Sequence, residues 1–75
     1  MTIHHFPLQG EFIELNVLLK LLALAPSGGG AKALIATGAV SVDGAVETRV
    51  RRKLREGNVV RLGDEEIRIG EAATS

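Results

Sequence analysis

The apolar pattern of this chain changes period at Gly38. Before it, Leu15, Leu18, Leu19 and Leu22 recur at helical spacing, with Val17, Leu21 and Leu24 as a second stripe. Ala31, Leu34 and Ile35 continue that period. After Gly38, Val40 and Val42 alternate with Ser41 and Asp43, and Ile67 and Ile69 alternate with Arg68. A chain that is helical first and alternating afterwards has few folds open to it. The expected class is α+β, with two helices packed on a small antiparallel sheet. At 75 residues it is a single domain with a thin core and little volume for a deep pocket. A binding module fits that size better than a self-contained enzyme.

Local chemistry sets the expected boundaries. Pro7 disfavours helix in "TIHHFPLQG" and suits a short edge strand. Asn16 is a candidate N-cap for a first helix running through Leu24, buried over most of its circumference with Lys20 on the narrow exposed side. Pro26 breaks that helix. Ser27 caps a second helix from about Gly28 to Thr37, and Gly38 takes the left-handed position beyond it. "DG" at Asp43–Gly44 predicts a type I′ hairpin returning through "AVETRV". Further turns are expected at Gly57 and at Gly63–Asp64, flanking a strand from Asn58 to Leu62. One domain should cover residues 1–70, with 71–75 as a frayed tail.

The sequence contains no cysteine, which removes disulfides and thiolate metal sites. "MTIHHFPLQGEF" lacks the apolar segment of a signal peptide. "VLLKLLALA" is roughly half the length of a membrane span. The expectation is a soluble, cytoplasmic protein with no membrane partner. His4 and His5 are adjacent on an extended segment and point apart, so they form no metal pair. No spacing suggests a Ser/His/Asp set. No cofactor, metal or small-molecule substrate is expected.

"SGGGAK", Ser27 to Lys32, invites comparison with phosphate loops. It lacks the Gly-Lys-Ser/Thr of a Walker loop and follows a helix rather than a strand, and the dinucleotide fingerprint fails on the same context. The local physics still favours anions. The first amides of a helix have no internal partner, and the helix dipole adds positive charge there. Against this stands the plainer reading that the glycines only allow a tight turn and close packing. The stretch alone does not separate the two.

Nine basic and nine acidic residues cancel, yet "RVRRKLR", Arg49 to Arg55, holds five cations in seven positions. Local asymmetry, not the sum, sets the field that a partner meets. A solvated surface strand is the bland reading. With little interleaved acid, the segment repels itself unless something neutralises it, and arginine forks suit phosphate. Val50 and Leu54 should point inward. Strict alternation would bury Arg52 too, so a turn or bulge is expected near Val50 to Arg52. The two aromatics, Phe6 and Phe12, read as core, leaving no stacking surface for loose bases. A nucleic acid would then be held through phosphates and shape, which favours folded, double-helical RNA.

Taken together, "LNVLLKLLALAPSGGGAKALIATGAVSVDGAVETRVRRKLREGNVVRL" resembles the S4 RNA-binding domain, and most of all the small free-standing bacterial S4-like proteins. The resemblance runs from about Phe12 to Leu62. It implies an S4-like (alpha-L motif) fold, a helix-turn-helix-like pair on a small sheet. It implies a non-enzymatic monomer that binds structured RNA, ribosomal or transfer, in translation-related processes. Carried over, the contacts would be Ser27, Gly28, Gly29 and Lys32 at the second helix, and Arg49, Arg51, Arg52 and Lys53 on the basic segment. Lys20 and Arg55 would be peripheral.

The chain departs from the family pattern at four positions. Gly30 stands where the free-standing group often has Glu. Gly28 stands where larger S4 domains often have Arg. Asp43 replaces the usual Asn of "VNG", and Asn58 the usual Asp of "GD". A competing expectation is a protein-interaction module using the apolar face of the first helix.

Overall fold

The computed structural model describes residues 1–71. In chain order the elements are β1 (Thr2–Leu8), β2 (Ile13–Glu14), α1 (Leu15–Leu21), α2 (Gly28–Ala36), β3 (Val40–Val42), β4 (Ala45–Val46), β5 (Lys53–Leu54), β6 (Val59–Leu62) and β7 (Glu65–Glu71). Five strands form one sheet in the order β1-β7-β6-β3-β4, and β2 and β5 form a two-stranded ribbon. The expected α+β class is the one observed.

The sheet is antiparallel except at one edge. β7 folds back on β6, pairing Val60 with Ile67, and β1 then joins the free side of β7 in parallel, with Phe6 opposite Ile69. Alternation identified these strands but not their partners, so the parallel pair is new. Pro7 does lie on an edge strand, where its missing N–H breaks no ladder. β7 continues through Gly70 and Glu71, opposite Pro7 and Leu8, and so runs into the stretch expected to be a tail. The remainder of that stretch lies outside the described residues.

Both helices pack on one face of the sheet. Leu15, Leu18 and Leu19 of α1 and Ala31 and Ile35 of α2 meet Val40, Val42, Val60, Ile67 and Ile69, with Leu54 from the ribbon. At about 25 cal/mol per Å² of apolar surface removed from water, this one cluster supplies the main stabilisation. Phe6 packs against its rim, as expected.

Helix α1 differs from expectation at both ends. It starts at Leu15 after Glu14, which makes no side-chain cap. Asn16 lies inside the first turn, and its shielded Oδ1 has no partner. The cap comes from elsewhere. The Leu15 amide donates to the Arg52 carbonyl at 2.9 Å and the Asn16 amide to the Val50 carbonyl at 3.2 Å. The helix ends at Leu21, not Leu24, because Ala23 turns into left-handed backbone at φ 57°. The coverage of α1 is also narrower than its pattern suggested, since Val17 and Leu21 are exposed.

Helix α2 and the hairpin form as their local signals predict. Ser27 Oγ accepts from the Gly30 amide at 3.1 Å, and Gly38 takes φ 81°. Asp43 and Gly44 both have positive φ, as a type I′ turn requires. The returning strand is short, however. β4 stops at Val46, and the chain leaves the sheet before the basic segment begins.

Candidate nucleic-acid interface

The basic segment is a docked loop rather than the arm of a hairpin. Arg52 N–H closes a turn on the Arg49 carbonyl at 3.2 Å, which is the expected break in alternation. The carbonyls of Val50 and Arg52 point at the start of α1 and satisfy its free amides. Lys53 and Leu54 then pair with Glu14 and Ile13. Leu54 is buried and Val50 packs against the core, so the loop is anchored on both sides.

Its charge is partly neutralised from within, which the sequence reading missed. Glu47 is buried and collects the nearest guanidiniums. Arg49 donates to it from Nε at 2.9 Å, Nη2 at 3.0 Å and its own amide at 3.1 Å. Arg52 donates from Nη1 at 2.7 Å. The Arg49 hydrogen bonds, helped by Arg52, hold the Glu47 carboxyl down to about 2 against the opposing effect of burial, and the same pairing raises Arg49. Arg52 is therefore half-buried and inward after all, made tolerable by a buried anion. The signal was Glu47 itself, the acid just ahead of the run.

This divides the candidate residues. Arg49 and Arg52 are ion-paired to Glu47, Arg49 with 72% of its side chain still exposed. Arg51, Lys53 and Arg55 are exposed and, among the described residues, form no ion pair. Arg55 Nη1 reaches only the Glu11 carbonyl at 3.4 Å.

Phe12 is not core. It is 39% exposed, with Lys53 Nζ 4.9 Å from its ring centroid and Arg55 Cζ 6.0 Å away. Apolar neighbours disguised it in the sequence.

The second group of candidates lies at the other end of α1. That helix has seven residues and is about 10 Å long, and the six-residue turn after it leads to the start of α2. Ser27, Gly28, Gly29 and Lys32 are exposed there, and Lys20 is exposed on the last turn of α1. With Ser27 engaged on Gly30, the amides of Gly28 and Gly29 are left without an intrahelical partner.

The glycines have different reasons for being there. A Cβ at Gly28 would meet nothing within 4 Å, and at Gly29 only Ser27 Oγ at 3.8 Å. Packing does not require glycine at either. At Gly30 a Cβ would sit 2.9 Å from Pro26 Cδ and 3.0 Å from Cγ. Packing against the proline ring accounts for Gly30.

A second set of cations lies on the sheet face away from the helices. Glu66, buried on β7, accepts from Arg68 Nε at 2.7 Å and Arg61 Nε at 3.1 Å. The Arg68 bond, with Arg61 adding to it, keeps the Glu66 carboxyl below its ordinary value despite burial. Two shallow hollows open on this face, not at the basic loop, and share Arg68 as a lining residue. Both arginines are already hydrogen-bonded to Glu66.

Among the described residues no three His, Asp or Glu side chains converge as metal ligands, and no helix is long and apolar enough to cross a membrane.

Comparison with known proteins gives a consistent picture. A family model described as an S4 domain matches residues 6–70. Over 57 residues, 76% of this chain and 81% of the relative, the sequence is 46% identical to YbcJ of Escherichia coli (strain K12), and to the same extent to YbcJ of Shigella flexneri. The solution structure of E. coli YbcJ, described as revealing an alfaL motif involved in RNA-binding, matches with a TM-score of 0.63. That match has 38% identity and covers 93% of this chain and 87% of the other.

Proposed function

The chain belongs to the S4 domain family, and from that premise we propose that it is a non-enzymatic module that binds structured RNA by its phosphates. The observation that carries the reading is the docked basic loop. Its backbone is committed to α1 and Arg49 and Arg52 are ion-paired to Glu47, so Arg51, Lys53 and Arg55 are the exposed cations of the loop without an ion pair among the described residues. Phosphate is the partner that a fixed set of guanidinium and ammonium donors suits best.

The start of α2 supplies the second contact. Gly28 and Gly29 give a phosphate oxygen open approach to free amides, and Lys32 adds a full charge one turn in. Lys20 is exposed on the last turn of α1, ahead of the α2 start in the chain. Two separate groups of donors favour a folded RNA whose phosphates hold fixed positions. Ribosomal and transfer RNA are the obvious members of that class, and a translation-related role follows from them.

The direct test is filter retention of ribosomal and transfer RNA at low salt by the wild type and by Arg51→Glu with Lys53→Glu. Arg49→Glu is a poor choice, because it would set a second carboxylate against Glu47. Retention by the wild type and its loss in a folded double variant are expected. Absence of retention by the wild type would overturn the reading.

A second reading rests on one observation. Leu21 is 62% exposed and Val17 is exposed beside it on α1, an apolar strip suited to a protein partner. Sedimentation decides: a monomer at all concentrations, unchanged by Leu21→Lys, would leave this strip without a partner of its own kind.

A further inference from the structure

The chain has two aromatic side chains, and one of them lies on the surface among the free cations of the basic loop. Phe12 is not a loose loop residue. It directly precedes β2, and β2 is paired with β5, which begins at Lys53. The Arg55 backbone N–H donates to Asn58 Oδ1 at 2.6 Å, and its guanidinium Nη1 donates to the Glu11 carbonyl at 3.4 Å, on the same side. Ribbon pairing brings these residues together, with the ammonium 4.9 Å and the guanidinium carbon 6.0 Å from the ring centroid. The plainer account is that the lysine and arginine stems cover the ring. They do so incompletely, since 39% of the residue stays exposed.

We propose that Phe12 is a stacking platform for one unpaired nucleobase, whose flanking phosphates are taken by Lys53 and Arg55. The proposal rests on the RNA-binding reading above and narrows it. The preferred RNA is one in which a helical segment adjoins an unpaired nucleotide, as at a bulge, a junction or the foot of a loop. The exchange favours this arrangement. A cation over an exposed ring gains little from it, so Lys53 gives up little when it moves to a phosphate and bares the ring face. Base-on-aromatic stacking is the larger effect, on the order of tenfold or more in affinity per base.

The probes are a blunt RNA duplex and the same duplex carrying one bulged 2-aminopurine, titrated with wild type, Phe12→Leu and Phe12→Trp. The wild type should bind the bulged RNA about tenfold more tightly and change the 2-aminopurine emission. Phe12→Leu should lower affinity for the bulged RNA to that for the blunt one and leave the blunt duplex unchanged. Phe12→Trp should keep the preference, and its indole emission should be quenched on binding. Equal wild-type affinity for both RNAs, or an equal loss on both in Phe12→Leu, would overturn the platform while leaving phosphate binding in place. Failure of the wild type to bind either would overturn both.

Discussion

Asn58 Nδ2 donates to Asp43 Oδ2 at 2.6 Å, tying the β3–β4 turn to the chain entering β6. Asp43 Oδ1 also accepts the Val59 amide at 2.9 Å, and Asn58 Oδ1 accepts the Arg55 amide at 2.6 Å. These are the two positions where the resemblance to the S4 pattern implies Asn and Asp in the opposite order. An amide and a carboxylate can make the same bonds with the partners exchanged.

Asp43→Asn together with Asn58→Asp should therefore leave stability within about 0.5 kcal/mol of wild type. Each single change should cost about 1 kcal/mol, by opposing two amides or two carboxylates. Urea denaturation of the four proteins measures the coupling. Additive losses would mean that the pair is not a unit.

Gly30 and Pro26 form a second such pair. Alanine normally gains about 0.5–1 kcal/mol over glycine within a helix. Gly30→Ala alone should gain nothing or lose stability, because its Cβ meets the proline ring. Combined with Pro26→Ala, the same change should recover the usual gain. Thermal melts of both backgrounds check this.

Glu47 makes stability depend on pH. Its folded-state value of about 2 lies below the ordinary 4.5. The stabilisation is complete above the ordinary value and is lost as pH falls through the folded one. Glu47→Gln should cost about 1–3 kcal/mol near neutrality. The gap from wild type should narrow between about pH 5 and pH 2. A gap constant down to about pH 3 would assign the loss to shape rather than charge.

The same geometry separates neighbouring arginines. Arg52→Ala strips a partner from a buried carboxylate and should lower the melting temperature by several degrees, at about 4–8 °C per kcal/mol for a domain of this size. Arg51→Ala touches no anion and should leave the melt unchanged while weakening RNA. Equal melting temperatures for both variants would remove the structural role given to Arg52.

Features written within a few residues were legible in the sequence. The Ser27 cap, the left-handed Gly38 and the Asp43–Gly44 turn each depend on local backbone preference, and each formed as expected. Features made by distant partners were not. Nothing near Thr2–Leu8 names β7 as its neighbour. The length of α1 was overread because Leu22 and Leu24 keep the apolar period through a turn that Ala23 has already begun. The basic run announced phosphate chemistry, but its division into structural and free arginines needed the loop to fold back on Glu47. Phe12 was misplaced because hydrophobicity alone does not distinguish a core ring from one held out under cations.

The central claim is that free cations at two ends of α1 hold RNA by its phosphates. The salt dependence of the dissociation constant for a structured RNA tests it most directly. About four phosphate contacts predict a slope of log affinity on log salt near −3 to −4, made shallower by about one in Arg51→Ala and again in Lys53→Ala. A slope near zero, or one that both variants leave unchanged, would contradict the account.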